Sequence, residues 1–173
     1  MTAITTINTE MPRLVAGQLA DGGYKDVDSC HNEDTTPIYP GTFIVVGTTD
    51  TDFGAKNPSA QNQLLKGVAL FGQSYQPITE LDASGGYLTG ITFDYLRHGR
   101  VPVTAKAAMT TSSAVHVQVI ADTGAPVGII RPDADAGKTL DCSSFCKVVE
   151  GGDATNPPVL EVDMTGAANA VSD

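Results

Sequence analysis

The stretch YLTGITFDYLRHGRVPV, residues 87–103, decides the fold class. Tyr87, Thr89, Ile91, Phe93 and Tyr95 alternate with Leu88, Gly90, Thr92, Asp94 and Leu96. A period of two belongs to a β-strand with one buried face. Arg97, His98 and Gly99 then read as a turn, and Val101, Val103 and Ala105 resume the alternation. The pattern predicts a hairpin, with 87–96 against 99–106. Pro102 has no N–H to offer a ladder, so the second strand is expected to lie at an edge or to bulge there.

Working outward, the same signal recurs in short pieces. TFIVVGT (42–48) is a β-branched run ending in a turn. LLKGVALF (64–71) is apolar around a central Gly, which fits a bulged strand. Val115, Val117 and Val119 alternate with His116 and Gln118, and further strands are expected at 127–131, 145–150 and 159–164. Residues 17–41 are polar and acidic, with room for a strand or two. About eight short strands with frequent Gly and Pro turns predict an all-β protein, an antiparallel sandwich or barrel. The helix candidate at 59–65 is too short and aperiodic to compete. Residues 1–16 are Thr-rich and lack periodicity, so they read as an extended N-terminal arm, and 17–173 as one β-domain.

The chain has 173 residues, 20 of them acidic and 10 basic, for a net charge of −10. A phosphate backbone is bound through clustered Lys and Arg, so nucleic acid is a poor partner. No run of 18 apolar residues is present to make a membrane helix, and the N-terminus lacks the basic and apolar regions of a secretory signal. The three Cys therefore read as free thiols in a reducing compartment.

Few constellations suggest chemistry. Cys142 and Cys146 are spaced C-x3-C and Cys30 precedes His31, which offers thiolate and imidazole to zinc. The two halves lie far apart in sequence, and buried thiols near a turn are the simpler reading. Asp50 and Asp52 faintly suggest a calcium loop, but the later bidentate Glu is missing. No G-x-S-x-G, P-loop or G-x-G-x-x-G motif occurs, and no carboxylate pair stands out as acid and base. The expectation is no enzyme, no metal and no cofactor.

Against this acidic background, 97–119 holds no Asp or Glu, while Arg97, His98 and Arg100 cluster at the expected turn. The order of features, AGQLAD (16–21), PGTFIVVG (40–47), KGVAL (66–70), the 87–103 stretch, AVHVQV (114–119), DTGAPVG (122–128) and a closing PVLEVDM, resembles the structural cement, or capsid decoration, proteins of tailed bacteriophages. Pro102, where that family more usually has an apolar or aromatic residue, and the Cys142–Cys146 pair depart from the pattern. The resemblance implies an antiparallel β-protein of jelly-roll type without enzymatic role. It implies residence on the outer face of an assembled head and production in the host cytoplasm. Its partners would be the major capsid protein and neighbouring copies of itself, as dimer or trimer, with no nucleic acid and no membrane. Candidate contacts are Arg97 and Arg100, whose guanidinium forks suit carboxylates, with His98 between them, together with Pro12 and Arg13 of the arm. A carbohydrate- or host-surface-binding module on the virion is the other reading, disfavoured by the absence of Trp.

Overall fold

A computed structural model describes residues 15–20, 23–72, 81–122 and 126–164. Ten strands and no helix are found among them: β1 (Asp26–Asn32), β2 (Phe43–Val46), β3 (Gly54–Lys56), β4 (Leu65–Ala69), β5 (Thr92–Pro102), β6 (His116–Gln118), β7 (Ile130–Arg131), β8 (Thr139–Asp141), β9 (Cys146–Glu150) and β10 (Val159–Asp163). One sheet runs β1-β3-β2-β4-β5-β10-β9, and β5 also pairs with β1. That second pairing closes β1, β3, β2, β4 and β5 into a five-strand barrel. A separate sheet has the order β7-β6-β8. Of the two architectures expected, the barrel is the one formed, and one of its pairings, β1 with β3, is parallel.

The barrel interior is small, and its residues are graded to fit. Cys30, Ile44, Ala55 and Ala69 come from β1 to β4, while Phe93 and Tyr95 of β5 provide bulk, joined by Ile38 and Tyr87. Cys30 on β1 and alanines on β3 and β4 leave room for Ile44 and the aromatics of β5. The alternate residues of the same strands face outward. Phe43, Val45, Val68 and Leu96 join Val101, Val117, Ile130, Val148, Leu160 and Val162 in a second core between the barrel and the remaining strands. β2 and β4 are thus buried on both faces, which is why FIVV and LKGVA read as continuous apolar runs.

The expected hairpin is not formed. β5 runs unbroken through Arg97, His98 and Gly99 to Pro102. In its register with β1, Asp26 faces His98 but Val27 faces Leu96, so Arg97 is an extra residue, a β-bulge. Gly99 follows at φ 132°, a conformation that side chains disfavour. The bulge has a packing consequence. Before it, the odd-numbered Phe93 and Tyr95 enter the barrel core; after it, the odd-numbered Val101 enters the second core beside the even-numbered Leu96. One inserted residue changes which face is presented. Bulge and turn share Gly chemistry, and only the partners tell them apart: β1 and β4 flank the first part of β5, β10 the last.

Other expectations shift at their boundaries. The strand expected from Tyr87 begins at Thr92, because Leu88–Gly90 makes a turn with Gly90 at φ 79°. Tyr87 keeps its inward place by stacking on Phe93, with centroids 4.7 Å apart. Pro102 ends β5, and the chain beyond it pairs through isolated bridges, Ala105 with Ile130 and Met109 with Gly152. Gln118, expected on a polar face, is fully buried against Arg131. β3 and β8 form where no strand was expected. Residues 59–65 hold no helix.

Candidate functional site

Because β5 continues where a turn was expected, the candidate contacts stand on a ladder rather than at a tip. Arg97 Nε lies 3.8 Å from Asp26 Oδ2 on β1. His98 Nδ1 lies 3.3 Å from Asp163 Oδ1 on β10. Arg100 directs both Nε (3.0 Å) and Nη2 (2.9 Å) at Glu161 Oε2 of β10. Cross-strand register places these partners, with His98 opposite Asp163 and Arg100 opposite Glu161. Lys147 of β9 follows opposite Glu161, extending the row of charges. All are solvent-facing pairs, so each adds only about 0–1 kcal/mol to stability. The Tyr24 ring packs on His98 at 5.1 Å and 58° and is 78% exposed.

The chain ahead of β1 continues along the same edge of β5. The Ala20 amide donates to the Arg100 carbonyl (3.0 Å) and the Gly17 amide to that of Pro102 (2.8 Å). The root of the N-terminal segment therefore lies beside Arg100, although over 80 residues separate them in sequence. Gly17, at φ 81°, can sit there because a Cβ would come within 2.7 Å of the Gly41 nitrogen. Pro12 and Arg13 lie outside the described residues. The sequence reading missed Tyr24, Asp26, Glu161 and Asp163. The alternation of VLEVD around Glu161 was the one legible hint, since it turns that carboxylate away from the core.

The remaining motifs resolve into structural devices. Cys30 lies in the barrel core and Cys142 and Cys146 in the second core, all as free thiols. The zinc ligands considered from sequence are thus split between two cores, and no group of three such ligands forms among the described residues. Burial pushes the Cys30 thiol up to about 12, Lys66 opposing, and raises those of Cys142 and Cys146 as well. In the acidic loop, Glu33 accepts the amides of Thr48, Thr49 and Asp50, and Asp50 accepts those of Asp52 and Phe53. These carboxylates hold turns. Lys66 reaches the Asp52 and Gly54 carbonyls and lies over the Tyr95 ring. Arg131 is held by Gln118, Asp133 and Asp135.

Arg97, His98 and Arg100 therefore stand on an exposed ladder of side-chain pairs beside the chain at residues 17–20, and the three thiols are buried. A family model described as "Structural cement protein (E217 gp24/Pam3 gp6)" matches residues 4–171. The chain belongs to the phage structural cement protein family. Among solved structures the cement protein is similar to a chain of "The capsid of Myoviridae Phage XM1", with 17% identity, 94% of this chain and 98% of that chain covered, and a TM-score of 0.68. At that identity the likeness concerns the fold. No curated protein sequence matches the chain. The cement protein is a structural component of a bacteriophage capsid, and the carbohydrate-binding reading is not favoured.

Proposed function

We propose that the cement protein sits on the outer face of the assembled head, clamps neighbouring major capsid subunits and meets neighbouring copies of itself there as a dimer or trimer. It acts without catalysis, cofactor, nucleic acid or membrane. Residues 1–16 serve as the arm, with Pro12 and Arg13 on the capsid, and Arg97, His98 and Arg100 form the contact on the domain. The observation that carries this reading is the pair of backbone bonds from Gly17 and Ala20 to Pro102 and Arg100. They bring residues 17–20, which follow directly on the arm, beside Arg100 of the domain contact. The net charge of −10 supports an outer location, since packaged DNA would repel it. Synthesis in the host cytoplasm accords with three free thiols.

The test is occupancy on purified heads that lack the protein, followed by sedimentation. Wild type should co-sediment in high copy, and cryo-electron microscopy should place it outside the shell. Arg97→Ala with Arg100→Ala should melt as wild type, because exposed pairs are weak, yet occupy fewer sites. Deleting residues 2–15 should do the same. Density inside the shell, or full occupancy by both variants, refutes the assignment.

A further inference from the structure

We infer that Val15, Phe71, Tyr24 and Val27 form one apolar line along the edge of β5, and that this line seats a major capsid subunit. The inference rests on the capsid-contact reading above and names the side chains that carry it. These four are among the large apolar side chains exposed on the described residues, whereas Phe53 precedes β3 and Leu64 precedes β4, at the opposite end of that strand from Phe71. Their common path is set by the backbone. The Phe71 amide donates to the Gly17 carbonyl, Gly17 and Ala20 bond Pro102 and Arg100, Asp26 faces His98, and Val27 faces Leu96.

Three observations say what covers the line. Tyr24 is exposed but held on His98 at 5.1 Å, so little side-chain freedom remains to be lost when a partner arrives. An aromatic among Arg side chains is the composition of interface centres. The carboxylates of Asp26, Asp163 and Glu161 along the line already have partners within the chain, in Arg97, His98 and Arg100. In a chain of net charge −10, this is a strip that a partner can approach without finding unpaired carboxylates in these pairs. Finally, residues 1–14 leave the described structure at Val15, the end of the line, and the family match already begins at residue 4. A capsid subunit that holds the arm stands beside Val15 and Phe71. The fitting partner face is apolar at its centre with a neutral polar rim; dense carboxylates there would meet an acidic chain.

The experiment uses full-length protein and heads that lack it. Tyr24→Ala with Phe71→Ser should weaken head binding by about ten-fold or more. Phe53→Ser with Leu64→Ser, the control pair, should bind within about two-fold of wild type. Equal binding by the Tyr24–Phe71 variant, or equal loss in the control, overturns the inference. Should the first variant melt early, hydroxyl-radical footprinting of wild type decides: Tyr24 and Phe71 should be shielded on heads, and unchanged labelling overturns the inference. Wild type that fails to bind heads removes the cement reading and this inference with it. Bound wild type with an equally bound variant removes the inference alone.

Discussion

Gly67→Ala adds one methyl group at the middle of β4, and the structure makes it costly. The new Cβ would lie 2.5 Å from the Leu96 carbonyl oxygen and 2.6 Å from Tyr95 Cδ2. Gly67 has no positive φ, so backbone strain is not the issue. Two effects favour the substitution: a less flexible unfolded chain, worth about 0.4–1 kcal/mol, and burial of one methyl, worth about 0.8 kcal/mol. Opposing them is overpacking, about 1–3 kcal/mol or more where neighbours cannot yield. Here the nearest neighbour is main chain. Leu96 is paired with Val68 in the β4–β5 ladder and its side chain is fully buried, so its carbonyl cannot move alone. Overpacking should win, leaving a net loss of about 1–2 kcal/mol, which for a chain of this size is about 2–8 °C in Tm. Thermal and urea unfolding of both proteins would measure it. A Tm equal to or above wild type would refute the reasoning. So would full rescue by Tyr95→Leu in the Gly67→Ala background, because that would place the obstacle in the ring rather than the carbonyl.

Three further outcomes are expected. Tyr87 donates to the Leu70 carbonyl (2.6 Å) and accepts from the Gly72 amide (2.8 Å), so Tyr87→Phe should cost about 1–3 kcal/mol in urea unfolding by stranding both groups. All three thiols should stay unreactive toward a thiol reagent in the native protein and react once it is denatured, since burial holds Cys30, Cys142 and Cys146 protonated; a rapidly labelled native thiol would contradict this. The Asp82 carboxyl is held below its ordinary 3.8 by the Tyr39 hydroxyl and then by the Gly86 amide. The folded state therefore binds fewer protons there, so the stability it contributes is complete above pH 4 and lost as pH falls through the lowered value. Asp82→Asn should flatten the acid limb of a melting-temperature profile below pH 4, and an unchanged limb would count against the linkage.

What the amino-acid order determined by itself was what depends on near neighbours. Alternation placed Phe93, Tyr95, Val101, Val117 and Val162 in cores, because a strand sends successive side chains to opposite faces wherever it lies. The Gly in LLKGVALF pointed to a bulged strand, and the β2–β4 register shifts beside Gly67. Composition argued against nucleic acid, and the succession of features pointed to the cement family. What only the tertiary structure decided was partnership. Arg97-His98-Gly99 has the chemistry of a turn and of a bulge alike; the chain stays extended because β1 and β10 supply hydrogen bonds on either side of it. Gln118 looked solvent-facing until the buried guanidinium of Arg131 stood opposite. The carboxylates beside Arg97, His98 and Arg100 come from positions 26, 161 and 163, and Tyr24 reaches His98 across the same distance in sequence. Such pairings depend on register between strands far apart in the chain, which local periodicity does not encode.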